Sequence, residues 1–384
     1  MVNMDITIDK IEDLGWDAFF ESKRTELGLD SFSIARVIAE HRGVYRVKNE
    51  NGEYAAKITG KQIFRAVSRE DYPAVGDWVT IIELDNKQAI IQAILPRRSI
   101  IKRRFGDKNK IGEKNDVQII ATNIDMVFIV QSVGRDYNIN RFERYLAIAE
   151  DGDIKPVIVV NKIDLISAEE LNSKLMEIRN RLSNVDVIQT STANNEGLDE
   201  LRNYIKKGKT YCFLGSSGVG KSSLINRLLG EDIIKTENVS SCSDRGKHAT
   251  TNRETYFLDN GGIVVDNPGI REVGITDASA GTNSLFGEII ALAKKCKYAD
   301  CAHIHEPGCE MLSALKDGRI NKDRYSNYIS LKKEAKYYGM SDLEKKETKG
   351  RTEIDRRRIG RAWKLVEISM PISISRRSGC SRLA

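Results

Sequence analysis

Hydrophobic and polar positions alternate with the short period of half-buried strands through residues 34–39 and 44–47, and a turn signal follows at Asn51-Gly52. Further strands are predicted over 53–58, 77–84 and 89–95, with no long helical pattern between them. Short strands separated by turn signals predict a small closed barrel; five of them suit an OB-fold, although an SH3-like barrel has the same local pattern. The polar stretch 106–116 reads as a linker. From 117 to about 274 the pattern changes. Apolar runs such as 156–160 and 211–214 alternate with helical periodicity over 141–149, 168–182 and 198–205. That alternation predicts βαβ units around a parallel sheet. Beyond about 285 the pattern is helical and charged, interrupted by one loop rich in cysteine and histidine, and the last residues read as a mobile tail.

The strand run at 211–214 leads directly into GSSGVGKS over 215–222, and a helical pattern begins at Ser222. This fits the phosphate-cradling loop G-x-x-x-x-G-K-[ST]. Its glycines let backbone N–H groups close around phosphate oxygens at a helix N-terminus. The nucleotide-binding set is therefore Gly215, Ser216, Ser217, Gly218, Val219, Gly220, Lys221, Ser222 and Ser223. Lys221 is expected to reach the β- and γ-phosphates, serving catalysis as well as binding, and Ser222 to offer its hydroxyl to Mg²⁺.

A base-reading motif precedes this loop. Asn161-Lys162-Ile163-Asp164 follows the apolar run 156–160 and resembles the N-K-x-D element of GTPases. There the aspartate accepts hydrogen bonds from two donors on the guanine edge, a pair adenine lacks. Ser191-Thr192 stands where a further GTPase motif usually has Ser-Ala, which leaves its contact with the guanine oxygen open. Downstream, a strand ends in D-x-x-G: Asp266 would hold Mg²⁺ through water, and the Gly269 N–H would sense the γ-phosphate. Between them, Gly246-Lys247-His248-Ala249-Thr250-Thr251 occupies the place of a first switch, with Thr250 or Thr251 as the Mg²⁺ ligand. The motifs thus run fourth, fifth, first, second, third, the order of a circularly permuted GTPase. A parallel α/β sheet tolerates such an order because each βα unit brings its own loop to one sheet edge.

Cys296, Cys301, His303 and Cys309 are spaced C-x4-C-x-H-x5-C. Three thiols and an imidazole suit tetrahedral Zn²⁺, and four protein ligands leave no open position, as in a structural site. His305 is the alternative imidazole. The other cysteines, Cys212, Cys242 and Cys380, are scattered. No secretory signal and no apolar run of membrane length is visible, which predicts a reduced, cytoplasmic protein without membrane contact.

Taken together, these residues resemble the small-ribosomal-subunit biogenesis GTPases of bacteria, the RsgA family. The resemblance runs from about residue 32 to 365; the family usually has G-R-H-T-T-T in the first switch, so Lys247 and Ala249 depart from it. It implies an OB-fold at 32–105 after an N-terminal extension at 1–31, then the linker. A permuted GTPase domain would follow at 117–284, a helical zinc-binding domain at 285–365 and the tail at 366–384. It also implies GTP and GDP as ligands, one structural Zn²⁺, Mg²⁺ with the nucleotide, and the small ribosomal subunit with its rRNA as partner of a monomeric chain.

Length and charge agree. The 384 residues predict two to three domains, and the net charge of +6 is modest for a nucleic-acid binder. Its distribution says more: Arg97, Arg98, Lys102, Arg103 and Arg104 cluster after the barrel, and Arg351, Arg356, Arg357, Arg358, Arg361 and Lys364 near the C-terminus. Two basic runs flanking a nucleotide switch favour a phosphate-backbone partner. Hydrolysis is expected to be slow in isolation. Ile270 stands where a Ras-like enzyme has the glutamine that orients water. His248 is the local candidate for that role, or else a contact to the partner. The competing readings are a GTP-dependent RNA-binding scaffold with negligible turnover, and an ATPase.

Overall fold

The computed structural model describes residues 9–41, 43–105, 116–134, 137–234, 253–266, 279–339 and 344. His248, Thr250, Thr251, Gly269, Ile270, most of the linker, the C-terminal basic run and the tail lie outside these residues.

A helix α1 (Ala18–Glu26) precedes the strands β1 (Ser33–His41), β2 (Val44–Asn49) and β3 (Gly52–Ile58). A short helix α2 (Gly60–Arg65) then leads to β4 (Trp78–Leu84) and β5 (Gln88–Ile94). These strands pair in the order β1-β2-β3-β5-β4, and β4 returns to β1. The β3–β5 pair is parallel. Consecutive hairpins cannot produce such a pair, whereas the Greek-key path of an OB barrel requires it, so the barrel of β1–β5 has the OB topology, and residues 100–105 of the expected span lie instead in a separate two-stranded sheet. Its interior holds Val37, Val47, Ala56, Val79 and Ile91, all fully buried.

The residues ahead of the barrel belong to it in packing terms. Leu14, Trp16 and Phe20 form one apolar cluster with Ile34, Trp78 and Leu95, and the Trp16 and Trp78 rings meet edge to face at 4.8 Å. Arg36 lies beneath them, 2% exposed. Its guanidinium donates to the Leu14 and Asn123 carbonyls and to the Thr210 hydroxyl, tying the N-terminal segment, the barrel and the following region together. Burial pushes its pKa down to about 10, so it remains charged at neutral pH.

A hairpin of β6 (Ile100–Phe105) and β7 (Asp116–Thr122) follows, flanking the stretch read as a linker. Then come β8 (Met126–Ser132), α3 (Ile139–Asp151), β9 (Lys155–Asn161), α4 (Ala168–Arg181), β10 (Asp186–Thr190), α5 (Leu198–Tyr204), β11 (Thr210–Leu214) and α6 (Lys221–Leu229). The strands β12 (Arg253–Phe257) and β13 (Ile263–Asp266) complete the sheet. The order is β10-β9-β8-β11-β13-β12, parallel except for β12. Successive side chains of a strand point to opposite faces, so the apolar runs feed two cores. Val127, Ile129, Ile158, Val160 and Cys212 enter one. Phe128, Val130, Val157, Val159 and Phe213 enter the other. The sheet does not stop at β12: this strand pairs with β1 of the barrel, Ala39 opposite Glu254 and Glu40 opposite Arg253, giving one sheet of 11 strands.

The helices α7 (Ser279–Leu285), α8 (Gly287–Ala293), α9 (Glu310–Lys316) and α10 (Lys322–Gly339) close the first core. Phe286, Ile289, Met311, Tyr328 and Leu331 are buried in the same cluster as Phe142 and Leu146 of α3. Among the described residues no helix is long and apolar enough to cross a membrane.

Candidate nucleotide site and metal centre

The parallel register brings the predicted motifs to one edge. Ser132 of β8 and Thr190 of β10 both sit level with Asn161, the last residue of β9. β11 lies between β8 and β13, with Leu214 opposite Ile129 and Cys212 opposite Val265. The C-terminal ends of β9, β10, β11 and β13 therefore lie along one sheet edge, where ligand sites of α/β sheets are found.

After Leu214 the chain turns through residues 215–220 into α6. Gly215 has φ 151° and a Cβ there would stand 2.3 Å from the Val130 carbonyl oxygen. Gly220 has φ 100°, and a Cβ would meet the Asn161 side chain at 2.3 Å. Both positions exclude any other residue on conformation and on space. Lys221 folds back over the loop, its Nζ 2.7 Å from the carbonyl oxygens of Gly215 and of Ser216. Ser222 and Ser223 follow in the first turn of α6, partly exposed, and Ser217 and Gly218 are exposed at the loop tip. Val219 is buried in the second core.

Asn161 joins this loop to the base-reading motif. It is fully buried; its Nδ2 donates to the Val219 carbonyl at 2.8 Å, and its Oδ1 accepts from the Thr190 hydroxyl at 3.0 Å. Lys162, held at φ 63°, donates through Nζ to the Gly218 carbonyl at 2.8 Å. Asp164 is exposed in a short turn and accepts a hydrogen bond from the Ser191 hydroxyl. Ser191 is buried, whereas Thr192 is partly exposed, so of the pair it is Ser191 that orients the carboxylate. Asp266 ends β13 on the same edge. Its charge, after burial, helps push the nearby Cys212 thiol up to about 12.

One contact has no counterpart in the motifs. Arg141 of α3 donates to the Ser216 hydroxyl at 3.3 Å. Nothing in its spacing distinguishes this arginine from other charged helix residues; only the placement of β8 beside β11 brings α3 behind the loop.

Between α8 and α9, Cys296, Cys301, His303 and Cys309 gather with their ligand atoms within 4.8 Å of one another. The Cys296 and Cys309 sulfurs are 3.8 Å apart, and the His303 Nδ1 lies 3.5 and 3.6 Å from them. Tetrahedral bonds of ~2.3 Å to sulfur and ~2.05 Å to nitrogen would give ~3.8 Å between sulfurs and ~3.6 Å between sulfur and nitrogen. The donor set fits a tetrahedral zinc, and Cys296, Cys309 and His303 already stand at its spacing, with Cys301 beside them. His303 takes φ 62°, which turns its ring inward, and Tyr325 of α10 donates to its carbonyl. Glu306 organises the loop by accepting the N–H groups of Ala302, Ile304 and His305, at 2.9, 2.8 and 3.1 Å. His305 itself is exposed and outside the cluster.

The basic run after the barrel is a different matter. Arg97 forms a forked pair with Asp77, at 2.8 and 2.7 Å, and also donates to the Glu70 and Tyr72 carbonyls. Arg98 pairs with Asp17 and lies over the Phe19 and Phe20 rings at 4.9 and 4.8 Å. Arg97, 12% exposed, is thus bound within the barrel, whereas Arg98, 33% exposed, ties the barrel's end to the N-terminal segment through an ion pair that solvent reaches. The side chains of Arg103 and Arg104 lie outside the described residues.

Residues 94–276 match the family model described as RsgA GTPase. The chain is 42% identical over 316 residues to the small ribosomal subunit biogenesis GTPase RsgA 2 of Lactiplantibacillus plantarum, covering 82% of this chain and 87% of that protein. It is 35% identical over 360 residues to the RsgA 2 of Listeria monocytogenes, covering 94% and 96%. The solved structure of YjeQ from Thermotoga maritima superposes with a TM-score of 0.56 at 26% identity, over 80% of this chain and 99% of that one. That of YloQ, described as a circularly permuted GTPase, does so with a TM-score of 0.54 at 23% identity, over 81% and 97%, which speaks to the fold alone. With its motifs in permuted order on one sheet edge, and with this degree of likeness over most of its length, the chain belongs to the RsgA family of GTPases.

Proposed function

We propose that the chain binds GTP with Mg²⁺ on this edge and hydrolyses it as a switch on the small ribosomal subunit during its maturation. The observation that carries the reading is the Asn161–Val219 hydrogen bond, which locks the base-reading turn to the phosphate loop although their order in the chain is reversed. Asp164, steered by Ser191, would accept the two guanine donors, and the N–H groups of the 215–220 loop would take the phosphates. The carbonyl contacts of Lys221 hold its ammonium over that loop, from which it would reach the β- and γ-phosphates. Ser222 and Asp266 would hold Mg²⁺, which neutralises phosphate charge, with Thr250 or Thr251 as a further ligand. Gly269 would report the γ-phosphate. Cys296, Cys301, His303 and Cys309 would hold one structural Zn²⁺. The chain would act as a cytoplasmic monomer on the subunit's rRNA.

Ile270 in place of the Ras-like glutamine argues that intrinsic turnover is slow and that the partner orders the water, with His248 as the candidate group. GTP turnover measured alone and with small subunits, large subunits or free RNA tests this reading. Selective stimulation by small subunits is expected. Subunit binding without turnover would instead identify a GTP-dependent scaffold, and equal competition by ATP would refute guanine recognition.

A further inference from the structure

The most exposed apolar side chains among the described residues are neighbours. Phe64 is 91% and Val67 95% exposed, and Ile63 of the same turn is 52% exposed. They stand on α2 and the residues after it, between β3 and β4 of the barrel. Folding does not explain them, because burying a phenyl ring is favourable and this one is presented to solvent.

Their display is not looseness of the segment. Thr59 and Gln62 form a reciprocal capping box at the start of α2, and the Gln62 amide donates to the Gln92 carbonyl of β5 at 2.8 Å. At the other end, the Asp71 carboxylate accepts the N–H groups of Val67 and Ser68 at 2.8 and 2.9 Å. The turn is pinned to the barrel by its polar groups, and the apolar ones face out.

The charges around the tip point to its occupant. Lys57, Lys61 and Arg65 are exposed on the same stretch, Lys61 one helical turn before Phe64. The nearest acids in sequence are already engaged: Glu70 pairs with Lys102 at 2.8 Å, and Asp71 holds the turn. An aromatic ring flanked by cations is the composition of a site that stacks an unpaired base while its neighbours meet the adjacent phosphates.

We infer that the Phe64 tip is an RNA-contact element, with Phe64 stacking on an unpaired base and Lys61 and Arg65 engaging flanking phosphates. This rests on the reading of an rRNA-containing partner given above. It gives the barrel an RNA-contact element on α2, apart from Arg97, whose guanidinium is engaged by the buried Asp77.

The test uses the full chain loaded with a non-hydrolysable GTP analogue, titrated with a short single-stranded oligoribonucleotide, with its duplex form, with small ribosomal subunits and with phosphatidylglycerol vesicles. F64A is expected to weaken single-strand and subunit binding about tenfold, with unchanged thermal unfolding and unstimulated GTP turnover. F64W should retain binding, and its emission should be quenched by the single strand more than that of the wild type. K61E combined with R65E should weaken binding and lower its salt dependence. Undiminished single-strand and subunit binding by F64A would overturn the inference. So would a loss confined to subunits with the oligonucleotide unaffected, which would mean a protein contact. So would a loss confined to phosphatidylglycerol vesicles, which would mean a membrane. Wild-type protein that ignores subunits but binds the single strand through Phe64 would refute the ribosomal reading and leave this one standing.

Discussion

Glu143 of α3, fully buried, accepts both ends of the Arg181 guanidinium at 2.8 Å. The same carboxylate accepts from Asn327 of α10 and lies 3.6 Å from Arg324. One acidic side chain thus anchors the C-terminal helices to the nucleotide-binding sheet. Truncating it would leave the Arg181 guanidinium, 11% exposed, without its carboxylate, while Arg324 would keep Glu288 at 3.0 Å. Glu143→Ala is expected to destabilise the full chain by about 3–5 kcal/mol in urea unfolding. A change below about 1 kcal/mol would mean the helices are held by their apolar contacts alone.

Guanine selectivity is predicted to reside in Asp164. Asp164→Asn replaces an acceptor pair by a group that also donates. Affinity should fall for GTP and shift toward xanthine nucleotides, whose 2-oxo group needs a donor. Fluorescent-nucleotide titration reads this directly; wild-type protein that binds ATP and GTP equally would refute it.

Lys221→Ala removes the cation placed over the phosphate loop. Partner-stimulated turnover should drop by orders of magnitude, while the melting temperature changes little because the side chain is partly exposed and supports no core. Normal stimulated hydrolysis by this variant would rule the assignment out.

Elemental analysis of freshly purified protein should find one zinc per chain. Its removal is expected to unfold chiefly the region around α8–α10, because metal binding in such sites is coupled to folding. Nucleotide affinity should survive, since the metal cluster contributes no residue to the 215–222 loop. A metal-free preparation with unchanged stability would dispose of the site.

The parallel sheet was legible because strands buried on both faces read as apolar runs, and the runs ending at Val160 and Leu214 each hand over to a motif with one chemical purpose. The cluster of three cysteines and His303 was legible for a similar reason: its members lie within fourteen residues of chain, so spacing alone nearly dictates their meeting. Arg97 and Arg98 were not. Their carboxylate partners are 20 and 81 residues away, and a run of cations reads the same whether it faces water or a distant carboxylate. The packing of Trp16 on Trp78 was hidden likewise, because the two rings are 62 positions apart and the short apolar cluster around Trp16 does not say what covers it. Arg141 escaped because a helix pattern records which face is apolar, not what stands behind the polar one.

The shared ladder between β1 and β12 has a mechanical consequence. β12 begins at Arg253, shortly after the candidate first switch, and its neighbour on one side is the barrel. A strand cannot slide along such a ladder by one residue without turning every side chain to the wrong face. The barrel and the parallel sheet are therefore joined by backbone hydrogen bonds between strands far apart in the chain, not by the covalent connection alone, and the strand that makes the join is the one that follows the candidate first switch.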